Sequence, residues 1–200
     1  MKLFKVLFLV LLLAGCAATP VTDTVTLPGS FPSAADLPPH WQLAGRISLV
    51  QGETGWHATL DWREQDSDFR LRVSGPLGQG GFLLTGNPGG VLLQDAAQQV
   101  YTAPDADTLL TEVTGWALPV SGLRYWIRGI PEPASTFRAT VDPDGRLAQL
   151  SQQGWDIRFK RYHTLDGGRW PARLDLARDD IAVRMLIDQW QFGPSPLAAP

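Results

Sequence analysis

The sequence has few of the residues that disulfide-bonded, metal-binding and catalytic proteins require. Its single cysteine, Cys16, excludes an internal disulfide. The three histidines, His40, His57 and His163, have no second His or Cys at metal-ligand spacing. There is no Gly-x-Ser-x-Gly nucleophile elbow, and the glycine-rich run at 78–81 lacks the Lys-Ser or Lys-Thr of a phosphate-binding loop. We therefore predict no catalytic residues, no metal site and no cofactor.

Positive charge and long apolar runs are also scarce. The formal net charge is −3, so bulk charge gives no reason to expect a nucleic-acid partner. The apolar run from Val6 to Leu13 is too short to cross a bilayer as a helix, which needs about 20 residues. Its length is instead typical of the apolar region of a signal peptide.

The N-terminus has the pattern of a bacterial lipoprotein precursor. Lys2 and Lys5 precede the apolar run, and Leu13-Ala14-Gly15-Cys16 follows it and resembles a lipobox. We predict that residues 1–15 are a signal peptide and that the thiol of Cys16 carries the lipid. The alternative is an ordinary secretory signal with a chance cysteine. Loss of the two lysines would take the formal charge from −3 to −5.

Composition divides the rest of the chain into a tether, one domain and a tail. Residues 16–39 form the acylated cysteine and a flexible tether rich in Thr, Pro, Ser and Ala. Residues 40–192 form the folded domain, and residues 193–200, with three prolines, form a disordered tail. The residue after Cys16 is Ala17 rather than Asp, which favours the outer membrane over retention in the inner one.

Alternating apolar residues predict a mainly β domain of about ten strands. Strands of this kind have one dry and one wet face, and a large antiparallel sheet tends to curl. Two helical patterns interrupt them, the first capped by Asp105 or Asp107 and stopped by Gly115, the second capped by Ser121 and stopped by Gly129. The helices cannot bury their apolar stripes alone, so we place them against the dry face of the sheet.

The first candidate site is the apolar interior predicted between the helices and the sheet. The eight tryptophans supply many of its inward-facing residues. One interpretation is an ordinary core, which we expect for at least half of them, and the other is the wall of a lipid pocket. By alternation alone, the predicted cavity residues are Leu60, Trp62, Leu71, Val73, Leu123, Trp126, Ile127, Trp155, Ile157 and Phe159.

The second candidate site is the loop at Pro76, Leu77 and Gly78. Glycines and a proline flank a single leucine in a connection that is not a tight turn. The leucine either folds back over the mouth of the sheet or dips into a membrane. Spacing alone favours the first interpretation.

Taken in order behind the lipobox, a set of short motifs resembles the LolB family of outer-membrane lipoprotein receptors. The resemblance covers about residues 41–192. Its motifs are Trp41-x-Leu43-x-Gly45-Arg46, Pro76-Leu77-Gly78, Leu118-Pro119-Val120 with Leu123 and Trp126, Gly129-x-Pro131, Gln153-Gly154-Trp155, Tyr162, Pro171 before Leu174, and Trp190.

The resemblance implies a fold and a function. The fold is an incompletely closed antiparallel β-barrel with helices covering a hydrophobic cavity. The function is to accept acylated lipoproteins from the periplasmic carrier LolA and to insert them into the outer membrane, with the loop leucine, here Leu77, acting at insertion. We expect a monomer, anchored to the periplasmic leaflet. Family members often begin with a polar helix, whereas Ser33 to Asp36 leaves room for one turn at most.

Three other functions remain as alternatives. A lipoprotein that carries glycolipid or phospholipid would have the same cavity but would not exchange cargo with the lipoprotein carrier. A hydrolase would need a polar cluster in the cavity, and a purely structural lipoprotein would bind no lipid.

Overall fold

The computed structural model describes residues 31–76 and 80–194, and within them the chain forms eleven strands and two α-helices. The first six strands are β1 His40–Gln51, β2 Thr54–Gln65, β3 Asp68–Ser74, β4 Gly81–Asn87, β5 Gly90–Asp95 and β6 Val100–Ala103. The helices are α1 Ala106–Thr114 and α2 Val120–Trp126. The remaining strands are β7 Phe137–Val141, β8 Leu147–Gln152, β9 Trp155–Leu165, β10 Gly168–Arg178 and β11 Ile181–Phe192.

All of these strands belong to one antiparallel sheet, in the order β6-β5-β4-β3-β2-β1-β11-β10-β9-β8-β7. Each half of the chain is therefore a meander, and β1 and β11 join the two halves at the centre. The edge strands β6 and β7 do not pair with each other, so the sheet stays open. The predicted incompletely closed antiparallel fold with central helices is confirmed, with eleven strands rather than about ten.

Alternation of burial along the strands defines the two faces. In β1, every second residue from Trp41 to Leu49 is buried, Gly45 included, whereas the residues between them are exposed or half-buried. We call the buried side the inner face and the other side the outer face. The inner face continues through β11 with Ile181, Val183, Met185 and Ile187. A slip of one residue would place every one of these side chains in water, so the pattern determines the register.

Helix α1 is bounded as the sequence predicts. Asp105 is its N-cap, and its carboxylate accepts a hydrogen bond from the Thr108 backbone N–H at 2.9 Å. Gly115 ends the helix with φ +77°, a left-handed conformation in which glycine has no steric penalty. Leu109 and Leu110 are buried beneath it.

The predicted cap of helix α2 is wrong. Ser121 lies inside the helix, and the N-cap is Pro119, which makes no side-chain capping bond. Asp107 on α1 takes over this function: its carboxylate accepts from the Ser121 backbone N–H at 2.9 Å and from the Ser121 hydroxyl. This contact joins the first turn of α1 to the first turn of α2. The sequence spacing did not indicate it.

The described chain begins before the predicted start of the domain. Phe31 contacts Phe137 of β7 with ring centroids 6.0 Å apart, and Leu37 packs on the core. Between them Ser33 caps a single 3-10 turn, Ala34–Asp36. Every strand and helix described lies after residue 33, so a chain that starts at residue 17 retains all of them. Helices long and apolar enough to span a membrane are absent from the described ranges.

Gly45 sits at the junction of the two meanders. The pairing of β1 with β11 shifts register between Ala44 and Gly45. A Cβ added at Gly45 would lie 2.2 Å from the carbonyl oxygen of Leu186, which is backbone and cannot rotate away. The two halves of the sheet therefore approach each other here more closely than any other residue type allows.

We predict that Gly45→Ala lowers the free energy of unfolding by about 2 kcal/mol, because the added methyl forces β1 and β11 apart. Urea unfolding of the soluble chain measures the change. The matched control is Gly55→Ala in β2, where an added Cβ meets no atom within 4 Å and we expect almost no loss of stability. Equal losses in both variants would contradict this explanation.

Candidate functional site

An apolar cavity lies between the inner face of the sheet and the two helices. It has a volume of about 30 Å³, which is room for about one water molecule. Pockets that hold small-molecule ligands measure about 300–1,000 Å³. Its walls are formed by Ile47, Trp56, Leu60, Trp62, Leu71, Val73, Phe82, Leu110, Trp116, Leu118, Val120, Leu123 and Met185. In this structure the interior is thus filled by the protein's own side chains.

Half of the predicted cavity residues lie on these walls. They are Leu60, Trp62, Leu71, Val73 and Leu123. The other five are buried but lie away from the cavity: Trp126, Ile127, Trp155, Ile157 and Phe159. The C-terminal end of α2 is hydrogen-bonded to β8 through Trp126 and Gln152, which joins this part of the interior to the sheet away from the cavity. Alternation predicts burial correctly, but burial does not distinguish a wall from a tightly packed core.

The segment between the helices contributes walls that the sequence reasoning missed. Trp116 packs on Trp56 of β2 at 4.3 Å and on Phe82 of β4 at 6.4 Å between ring centroids. All three rings are half-buried, so they form the solvent side of the cavity. Trp116 follows Gly115, which ends α1, and it belongs to no helix or strand. Neither helical nor strand periodicity in the sequence could therefore predict that its side chain faces the interior.

Other tryptophans form an ordinary core at the far end of the strands. Trp41 lies 5.7 Å from Trp62 and 5.8 Å from Trp190 between ring centroids. Trp170 extends the cluster, 5.6 Å from Trp190. Trp62 therefore belongs both to this cluster and to the cavity wall.

Helix α2 is attached to the sheet at its C-terminal end by a buried amide. The indole N–H of Trp126 donates to the Gln152 side-chain oxygen at 2.8 Å, and the backbone N–H of Glu132 donates to the same oxygen at 2.9 Å. The Gln152 amide nitrogen donates to the Glu132 carbonyl at 2.7 Å. A buried amide with this many partners fixes its neighbours, since losing any one leaves a buried polar atom unpaired.

A buried carboxylate holds the other side of α2. Glu64 lies on the inner face of β2, where the Trp62 indole N–H donates to it at 3.1 Å and the Arg124 guanidinium forms an ion pair with it. Burial raises the pKa of the Glu64 carboxyl, and the nearby Arg124 partly offsets that rise. Burial likewise lowers the pKa of Arg128.

The base of the loop between β3 and β4 is described, and its tip is not. The Gly75 backbone N–H donates to the Gly80 carbonyl at 2.8 Å, which brings the two ends of the loop together. Pro76 is exposed. Leu77 and Gly78 of the predicted insertion loop lie outside the described residues, as does Cys16.

Comparison with known proteins identifies the relatives of this chain. The family model described as outer membrane lipoprotein LolB matches residues 39–190. The outer-membrane lipoprotein LolB of Stutzerimonas stutzeri is 36% identical over 189 residues, which are 92% of each chain. The protein of that name from Pseudomonas aeruginosa is 42% identical over 151 residues, 76% of this chain and 74% of its own.

A solved structure supports the fold alone. The crystal structure of a DUF1329 family protein from Desulfovibrio piger superposes with a TM-score of 0.51 at 7% identity, covering 83% of this chain and 89% of that one. The sequence match covers most of the chain, and the fold is an open antiparallel sheet with helices over its apolar face. Both observations point to the same family. The chain belongs to the LolB family of outer membrane lipoproteins.

Proposed function

We propose that this protein receives acylated lipoproteins from the periplasmic carrier LolA and inserts them into the outer membrane. The observation that carries the proposal is the wholly apolar cavity beneath α1 and α2, in a chain of the LolB family. Its walls offer only apolar side chains, which suit an acyl chain and provide no group for bond cleavage.

Shielding is the physical requirement of such transfer. Each acyl methylene exposed to water costs about 0.8 kcal/mol, so a cargo with two or three chains faces tens of kcal/mol in the periplasm. The chains must therefore pass from one apolar pocket to the next. We infer that transfer follows rising affinity, from the carrier to this protein and then to the membrane, without nucleotide hydrolysis.

Loading requires that the helices move, because the cavity of about 30 Å³ is too small for an acyl chain. We infer that α2 is a lid. Gln152 fixes its C-terminal end, whereas the Glu64–Arg124 pair can be replaced by water, since the Arg124 side chain is 31% exposed. Outward rotation about the Trp126 end would open the space beneath Val120 and Leu123.

We assign delivery of the cargo lipoprotein into the membrane to the loop that contains Leu77. A leucine that enters lipid gains about 1.5–3 kcal/mol, far less than an acyl anchor supplies. Leu77 therefore acts on the insertion step rather than on attachment. Attachment belongs to the lipid on Cys16, which holds the monomeric domain at the periplasmic leaflet of the outer membrane through its tether.

The experiment that tests this function is a transfer assay. The soluble chain from residue 17 is mixed with LolA that carries a labelled lipoprotein, and the label is followed by pull-down. Movement of the label onto this protein without nucleotide, and then onto liposomes, is the expected result. If the label stays on the carrier while the protein copurifies with another lipid, a glycolipid or phospholipid carrier replaces this proposal.

We predict that Leu77→Glu loads cargo normally but fails to deliver it, because a carboxylate cannot enter the bilayer. Loading and liposome transfer are measured separately on the same preparation. The matched control is Val100→Glu on edge strand β6, an exposed apolar residue that receives the same charge and should leave both steps intact. Loss of both steps in Leu77→Glu would indicate misfolding and contradict the assignment.

We predict that tying α2 to the sheet blocks loading. Cysteines at positions 64 and 124, joined by a short thiol cross-linker, would be the only thiols in a chain that starts after Cys16. The control pair, at Gln42 and Asp61, lies within the sheet, where the two side chains are 2.9 Å apart. Loading should fail only in the cross-linked 64/124 variant, and normal loading there would exclude α2 as the lid.

A further inference from the structure

A second recess lies on the outer face, opposite the apolar cavity. It has a volume of about 380 Å³ and crosses β1, β2 and β11. We call it the outer groove, and it is lined by Arg46, Ile47, Ser48, His57, Ala58, Thr59, Ser74, Gly75, Pro76, Arg184 and Leu186. Ile47 also lines the apolar cavity and Pro76 belongs to the insertion loop, whereas the other residues have no place in the mechanism above.

The register of the central strands brings its polar side chains together. Ser48 of β1 pairs with His57 of β2 on one side and with Arg184 of β11 on the other. Arg46 pairs in the same way with Thr59 and Leu186. Paired residues project to the same face of a sheet, so these two rows form one surface.

The described lining of the outer groove is mostly apolar, and its polar members are cations and hydroxyls with no acidic residue among them. Arg46 donates two of its five N–H groups to Asp188, at 3.0 and 2.8 Å, and Arg184 donates one to Asp175 at 3.1 Å. Both carboxylates lie outside the groove and hold the guanidinium groups in place. Most of the guanidinium N–H groups therefore remain for an anion, and planar guanidinium groups suit phosphate oxygens.

One wall of the outer groove is the base of the insertion loop. Ser74, Gly75 and Pro76 line it, and the next residue is Leu77. Consecutive Cα atoms are about 3.8 Å apart, so a bilayer that received Leu77 would bring its headgroups to the mouth of the groove. The mature chain has a net negative charge, so these cations are a local feature rather than part of a basic surface.

We propose that the outer groove binds the phosphate of a membrane phospholipid headgroup while the loop engages the bilayer. Arg46 and Arg184 contact the phosphate oxygens, and the hydroxyls of Ser48 and Ser74 donate hydrogen bonds. The Thr59 hydroxyl donates to the Ser74 carbonyl at 3.3 Å and supports that wall of the groove. The proposal rests on the proposed function, since it takes the loop to be the part that meets the membrane. It adds a headgroup site that orients the domain for delivery.

The test compares binding of the soluble chain to vesicles of phosphatidylglycerol and phosphatidylcholine in equal parts. The variant Arg46→Gln/Arg184→Gln should bind about 30-fold more weakly, because each cation near an anionic surface contributes about fivefold. The variant Arg46→Lys/Arg184→Lys keeps the charge and should retain most of the binding. Unfolding midpoints of both variants confirm that the sheet is intact.

The matched control is Arg138→Gln/Arg169→Gln. Both arginines are exposed, on β7 and β10, and their removal changes the net charge equally. Neither arginine lines the outer groove, so a headgroup bound there contacts neither of them, and at physiological salt we expect less than a threefold loss. If both Gln variants lose the same vesicle affinity, bulk charge explains the binding and the proposal is overturned. Unchanged vesicle binding of the Arg46→Gln/Arg184→Gln variant would also overturn it.

Free phosphate is the rival occupant. Titration calorimetry with inorganic phosphate, without vesicles, separates the two sources. The Arg46→Gln/Arg184→Gln variant could lose phosphate binding and yet bind vesicles as the unmodified chain does. That result would overturn the lipid headgroup as the ligand. Loading from the carrier needs no membrane and should be equal in all variants. If the unmodified chain itself fails to load, the proposed function fails, while the vesicle comparison still decides the outer groove.

Discussion

The structure depends on an open sheet, which does not close into a barrel and has one continuous apolar face. Eleven strands curve far enough to form a trough, but β6 and β7 stay apart, so the inner face must be covered by something other than the sheet. Helices α1 and α2 provide that cover, with Leu109, Leu123 and Trp126 buried against the strands. A cover made from separate elements can be removed, whereas a closed barrel would have to break backbone hydrogen bonds to open.

The attachments of this cover differ in strength along its length. At the C-terminal end of α2, Gln152 satisfies three buried polar groups, one on Trp126 and two on Glu132, and its loss would leave them unpaired. At the other side, Glu64 is a charge placed in an apolar interior, where burial raises its pKa and opposes ionisation. Such a pair contributes little net stability compared with an apolar pair, and it can separate only if water reaches the carboxylate that Arg124 leaves. In the loading step proposed above, the Gln152 side would therefore act as the hinge and the Glu64–Arg124 side would open.

Strand positions, the boundaries of α1 and the buried residues followed from local pattern, because alternation, Asp105 and Gly115 act over a few residues. The failures involve contacts between distant segments. Ser121 has the sequence signature of a cap, yet Asp107 of the preceding helix satisfies its backbone N–H. Trp155 and Ile157 alternate as well as Leu60 and Leu71 do, but of these four only Leu60 and Leu71 line the apolar cavity. The outer groove was not predicted at all, because its rows come from β1, β2 and β11.

The sequence by itself determined that this chain makes an amphipathic antiparallel sheet with two helices, since period and turn chemistry are local properties. Its ordered motifs also determined the family. Only the tertiary structure decided which apolar side chains enclose a cavity, which polar contacts hold helix α2, and which cations meet beside the loop. The physical reason is that strand order and helix docking bring together residues as far apart as Arg46 and Arg184, and nothing in the spacing of a linear chain encodes those meetings.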